Sequence, residues 1–306
     1  MTPSRSRTAL VGTAFAVSAH ICWGVVTPFY VHALGNVPAT EIIAHRIVWS
    51  LLVTLIVLTG MTSGLADFKA LLIDAHKRWQ LALAALLVAG NWTTFVYAIQ
   101  IHNLLAASLG YFVTPLVQVA LGTLVLRETL RPMQKAAVAL AGVSVVFMFT
   151  RVESGTWIAL ALAGTWGTYS LIRRRMNAPA IPALAVECLA LLPAGVAIIA
   201  WSATVPTSGL RTASAFTLTL LGLAGVVTAV PLLLFGAAAR RLPMRALGFT
   251  QYIGPTLQFA MAVLLFGEHP DALKLTSFAI IWAALALYTY DALTALRAPP
   301  PIDEPS

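Results

Sequence analysis

The sequence predicts an all-α integral membrane protein of ten transmembrane helices, built as two inverted five-helix repeats with both termini cytoplasmic. Three observations predict it. Of 306 residues, 59% are hydrophobic and only 10% are charged, whereas a soluble domain carries roughly a quarter charged residues. Long uncharged stretches recur, each near or above the roughly 18–20 residues that take a helix across the hydrocarbon core. The chain also matches itself at an offset of 140 residues. A soluble enzyme is excluded because so few charges cannot cover its surface. Disorder is excluded because it needs low hydrophobicity and high charge. The runs are continuously apolar rather than alternating, which excludes a β-barrel, and helices satisfy their backbone polar groups within the segment.

The spans follow from the spaces between charges. The first, 8–31, comes after Arg5 and Arg7. That pair resembles a signal-peptide n-region, but the run is too long and nine more follow, so it is read as a retained helix. The second, 40–60, carries Glu41 and Arg46 and ends before Asp67. The third and fourth, 79–100 and 103–126, divide the 48 residues between Arg78 and Arg127 at the polar break Gln100–Asn103. The fifth, 132–150, and the tenth, 273–296, begin at Lys135 and Lys274, whose long side chains can snorkel. The sixth, 155–174, lies between Glu153 and Arg173; the seventh, 184–204, between Glu187 and Arg211; the eighth, 214–236, between Arg211 and Arg240; the ninth, 244–266, between Arg245 and Glu268. The longest connection is 61–78, and the proline-rich tail 298–306 is read as a disordered cytoplasmic end.

Orientation follows from the excess of Lys and Arg in cytoplasmic connections. With the N-terminus inside, fifteen basic residues fall on the inner side and three (Arg151, Arg211, Lys274) on the outer side; Arg46, within a span, completes the nineteen. At the 140-residue offset, 95–128 meets 235–268 with 8 identities in 34, among them Pro115/Pro255, Gln118/Gln258 and Glu128/Glu268. Trp23-Gly24 corresponds to Trp166-Gly167, and Glu41 to Glu187, at slightly different offsets. The repeats are 8–150 and 155–296. Five spans per repeat is odd, so the second copy enters the membrane from the opposite side, the arrangement from which alternating access follows.

Polar side chains in lipid are costly and face a bundle interior or a water-filled path. His20, Trp23 and Thr27 share one face of the first span. Tyr111, Pro115, Gln118 and Gly122 share a face of the fourth, and Gln251, Pro255, Gln258 and Ala262 a face of the ninth. Pro115 and Pro255 are expected to kink their helices. Trp23, His45, Arg46, Asn91, Trp92, Tyr111, Gln118, Trp166, Tyr169, Gln251, Tyr252 and Gln258 are the candidate substrate contacts. Glu41, His45 and Glu187 are the candidates for a gate or proton coupling, since His titrates near neutral pH; an ion pair of Glu41 with Arg46 or with lipid phosphate is the competing reading. Interhelical packing competes for each stripe.

The net charge of +8 does not point to nucleic acid, because the basic residues form short clusters between apolar runs. Cys22 and Cys188 show no metal spacing, and no Walker loop, HExxH or GxSxG is present, so no cofactor, metal or catalytic set is expected. The expected partners are a small-molecule substrate and the lipid bilayer, with a homodimer left open.

The segments Glu41–Arg46, Asn91-Trp92, Ala107–Phe112 with Pro115-Leu116, and Leu247–Phe259 with Gly267-Glu268 resemble the RarD proteins, of the EamA division of the drug/metabolite transporter superfamily. Ala106 and Thr114 stand where that pattern carries Glu and Asn. The resemblance implies a bacterial inner-membrane secondary transporter, exporting small metabolites or amphipathic drugs. A membrane enzyme acting on a lipid-linked substrate and a non-transporting receptor or assembly subunit are the alternatives.

Overall fold

The computed structural model describes residues 3–127, 130–149, 155–176, 178–206, 208–239, 241 and 250–297. Outside them lie Glu128, Arg151, Arg240, residues 242–249 with Arg245, and the tail 298–306; the side chains of Arg5, Arg7 and Pro115 also lie outside the description. The described residues fold into helices throughout. In order these are α1 (Pro3–Ile21), α2 (Thr27–Ala33), α3 (Ala39–Thr59), α4 (Gly64–Ile73), α5 (Ala75–Gln100), α6 (Leu104–Leu126), α7 (Pro132–Phe149), α8 (Thr156–Met176), α9 (Ala180–Thr204), α10 (Gly209–Thr212), α11 (Ala215–Ala239), α12 (Ile253–Leu264) and α13 (Ala272–Arg297). Among the described residues six runs are long and apolar enough to cross a membrane: Leu10–Ala33, Ala39–Thr59, Ala75–Gln100, Leu104–Val125, Ala180–Thr204 and Ala215–Ala238. Ile253–Leu264 and Ala272–Ala284 are shorter apolar helices. The protein is a multi-pass membrane protein.

Four expectations need correction. The first span is not one regular helix, because a π-helical turn at Cys22–Val26 joins α1 to α2. A π turn advances the register, so Thr27 leaves the His20/Trp23 face, and its hydroxyl bonds the carbonyl of Cys22 at 3.0 Å. The connection 61–78 contains helix α4, which is too short to register as a span. It lays Leu71 and Phe68 inward against α5 and α9. Asp74 then caps α5, accepting from the Lys77 N–H at 3.1 Å, so α5 begins four residues before the expected 79. Gln251 and Tyr252 lie in a turn before α12, not on its stripe. Pro255 is the third residue of α12, where its missing N–H leaves no intrahelical bond unmade, and Thr250, before the turn, is itself helical.

Packing places α3 between α9 and α11, and α6 between α8 and α12. α5 lies against α8 and α9, α1 against α11, and α7 against α13. The main core holds Ile42, Leu104, Leu105, Leu109, Phe112, Ile158, Leu162, Leu221, Phe278 and Ile281. In lipid such association depends on close fit, which small residues permit. Gly225 on α11 shows how close the fit is: a Cβ there would overlap the carbonyl group of Trp49 on α3. That approach brings Thr228, one turn further along α11, beside Arg46.

Gly225→Ala is expected to destabilise the protein by about 1–3 kcal/mol through overpacking. Gly222→Ala, where an added Cβ meets nothing within 4 Å, should be neutral or slightly stabilising, because alanine is the better helix residue. Thermal unfolding of both variants in detergent checks the pair; equal midpoints would remove the α3–α11 contact from the account.

Candidate functional site

Arg46 lies two turns into α3, on the face that also buries Ile42, Ile43 and Ile47. It is 5% exposed. Its Nε donates to Thr228 Oγ1 at 3.2 Å, and the Thr228 hydroxyl donates onward to the carbonyl of Ala224. Its Cζ sits 4.5 Å from the ring centroid of Trp92 on α5. Tyr30 (α2), Tyr111 (α6) and Cys188 (α9) lie within electrostatic reach of the guanidinium. Among the described residues no carboxylate pairs with Arg46. A cation–π contact supplies about 2 kcal/mol when desolvated, whereas a buried ion costs several kcal/mol. The charge is thus partly compensated by the protein itself.

Next to it, Asn91 is fully buried. Its Nδ2 donates to the Leu162 carbonyl and to Thr165 Oγ1, each at 3.0 Å. Its Oδ1 accepts from the Tyr111 hydroxyl at 3.0 Å. Asn91 thereby fixes α5 to α6 and α8, while its neighbour Trp92 turns towards α3. His45, on α3, accepts at Nδ1 from Trp49 Nε1 at 3.2 Å. The structure thus gathers Arg46, Asn91, Trp92 and Tyr111 at one centre, with His45 on the adjoining turn.

The remaining candidates divide. Trp23 lies with His20 and Phe235, at ring distances of 5.4 and 5.8 Å. Gln258 on α12 donates to the Trp23 carbonyl at 3.3 Å. Gln258 Oε1 and His20 Nε2 are buried without a hydrogen bond. The Trp166 and Tyr169 rings meet at a tilt, with centroids 5.2 Å apart, and the Tyr169 hydroxyl donates to Glu187 at 3.2 Å. Arg173 approaches the other Glu187 oxygen at 3.5 Å, an ion pair without hydrogen-bond alignment. Gln118 donates to Ser170 Oγ at 2.9 Å. Tyr252 packs half-buried against the main core. Among the described residues no three His, Cys, Asp or Glu side chains converge as metal ligands.

Glu41 does not pair with Arg46. Its carboxylate accepts the backbone N–H groups of Gly209 and Leu210 at 3.2 and 2.9 Å. Glu268 does the same for Leu104 and Leu105 at 2.6 and 2.9 Å. The first N–H groups of a helix have no intrahelical partner, and the positive end of the helix dipole favours a carboxylate there. Both clamps stand at one end of the bundle, where Gln100 also donates to the Val37 carbonyl at 2.6 Å. Glu187 stands towards the other end, two turns into α9 and beside the last turns of α8. Thr228, Tyr30 and the clamping role of Glu268 escaped the sequence reading. A lone hydroxyl in an apolar run, and a carboxylate at a span's end, were the available signals.

The EamA-like transporter family matches residues 10–150. An uncharacterised transporter of Pseudomonas aeruginosa is 42% identical over 94% of this chain and 96% of its own. The Escherichia coli protein RarD is 40% identical over 94% and 96%, and the chloramphenicol-sensitive protein RarD of P. aeruginosa is 32% identical over 94% and 96%. A solved crystal structure, 20% identical, superposes with a TM-score of 0.62 over 94% of this chain and 99% of that one, a likeness of fold alone.

Removing the carboxylate in Glu268→Ala strands two buried donors, at about 1–3 kcal/mol each. A loss of at least about 2 kcal/mol is expected, with Glu268→Gln in between, because charge-assisted bonds are about twice as strong as neutral ones. Thermal midpoints of the two variants measure this, and an unchanged midpoint in Glu268→Ala would mean that the clamp contributes nothing.

Proposed function

The chain belongs to the RarD family of EamA-like transporters, and from that premise we propose that it is a secondary transporter working by alternating access. It carries small metabolites or amphipathic drugs outward across a bacterial inner membrane, through ten helices in two inverted repeats with both termini cytoplasmic. The observation that carries the proposal is the centre at Arg46. A buried, polar and aromatic site is assembled from α3, α5 and α6 of the first half and from α11 of the second. Intramembrane ionisable groups mark substrate or ion paths.

The packing supports the repeats. Exchange each helix with its counterpart 140 or so residues away, and the main contacts map onto themselves. The α3–α9, α6–α12 and α7–α13 pairs are kept, α3–α11 exchanges with α5–α9, and α1–α11 with α5–α8. Gly24 lies against Leu257 and Gly167 against Val117; the two glycines are counterparts, and positions 117 and 257 are 140 apart. Glu41 and Glu268 then act as a gate holding the outer end shut. Glu187 and His45 are the groups through which a proton gradient would act. The transporter family speaks for transport over chemistry, and Glu41, Glu187 and Glu268 are each bonded separately.

Purified protein in sealed proteoliposomes, tested against a broad solute panel, is expected to move at least one solute faster than protein-free vesicles. No flux from folded protein would end the proposal. Collapse of the pH gradient at a fixed solute gradient is expected to slow that flux; insensitivity would remove proton coupling and leave transport standing.

A further inference from the structure

The Arg46 guanidinium has a free edge. Its Nε is engaged by Thr228, but Nη1 and Nη2 donate to no group among the described residues. The residue is only 5% exposed, so this unbonded edge lies nearly buried inside the bundle. One flat side of the guanidinium is covered by Trp92, which leaves the edge as the direction of approach. The nearest acidic residue along α3, Glu41, is spent on the backbone of Gly209 and Leu210. Glu187 is spent on Tyr169 and Arg173, and Glu268 on Leu104 and Leu105.

We propose that the carried solute is an organic monocarboxylate with an aromatic or apolar body, its carboxylate held end-on by the Nη1 and Nη2 groups of Arg46. Two parallel N–H donors match the two oxygens of a carboxylate. One cation without a carboxylate partner fits one negative charge; a phosphate dianion would leave a charge unmatched, and among the described residues no second Lys or Arg stands at the centre. A free amino group on the solute would need an acidic partner, and the three carboxylates above are occupied. The rings of Trp92, Tyr111 and Phe95 offer the apolar surface, the last two 5.7 Å apart. This inference rests on the transporter proposal and specifies its substrate class.

The test uses the full-length protein in lipid nanodiscs at constant ionic strength, with mandelate as probe, its neutral amide mandelamide, inorganic phosphate and chloride. Mandelate is expected to raise the thermal midpoint and mandelamide to leave it unchanged. Arg46→Gln is expected to weaken mandelate binding by roughly ten-fold or more, as for loss of a charged hydrogen bond. Arg46→Lys keeps the charge, loses the fork and should fall in between. If Arg46→Gln does not fold, Arg46→Lys carries the comparison. Equal binding of mandelamide, full mandelate affinity in the folded Arg46 variants, or chloride or phosphate competing as well as mandelate overturns the assignment. Flux in proteoliposomes separates the two ideas. Neutral solutes carried equally by wild type and Arg46→Gln, with mandelate excluded, overturn the carboxylate and leave the transporter. Arg46-dependent mandelate binding with no flux of any solute supports the site and counts against the transporter.

Discussion

Inside a bilayer no water waits to bond a stray polar group, so each must find its partner within the protein. The rest of the structure depends on that constraint. Two helix beginnings, at Leu104 and at Gly209, expose N–H groups at one end of the bundle. Each is met by a carboxylate more than 160 residues away in sequence, Glu268 for the first and Glu41 for the second. The same bonds thereby complete a helix and tie distant parts of the chain together. Asn91 does comparable work deeper in the bundle, where one amide reaches α6 and α8 at once.

Arg46 answers the constraint only in part. Threonine, tryptophan and phenol surroundings make the charge tolerable, and they are brought there by packing that leaves little room for change. Gly225 lets α11 press against the α3 backbone, which delivers Thr228. Asn91 pins α5, which delivers Trp92. The site is thus held by backbone fit and buried hydrogen bonds more than by the few side chains that line it. A family of related proteins can keep this scaffold while altering single lining residues.

Charge gaps alone located most helices to within a few residues, because the cost of burying a charge acts on every stretch of chain alike. Local chemistry that this cost does not see was missed. The π turn at Cys22–Val26 leaves no mark in composition, and α4 is too short and too charged to resemble a span. Asp74 moved the start of α5 by a cap that only its Lys77 N–H partner reveals. At the site, Arg46, Asn91, Trp92 and Tyr111 were legible as polar or aromatic exceptions in apolar runs. Their partners were not. Glu41 and Arg46 are five residues apart and look like a pair, yet the helix points them to different neighbours, and the competition between Gly209 and Arg46 for one carboxylate is decided by tertiary packing.

The clamps also set an energy scale for movement. Each charged hydrogen bond contributes about 1.5–3 kcal/mol when its partners have no alternative. If that end opens as the proposed mechanism requires, water reaches both the carboxylates and the helix N–H groups, so the net cost of parting them falls well below the sum of four bonds. A solute shifts a two-state equilibrium only by its difference in affinity for the two states, and a change from 1:99 to 99:1 takes about 5.5 kcal/mol. Micromolar binding is worth about 8 kcal/mol in all. Clamps of two bonds each are therefore of a size that a bound solute could offset, whereas a gate built from a buried ion-pair network would hold too firmly. On the proposed mechanism, paired carboxylates on backbone donors suit a gate that must both seal and release.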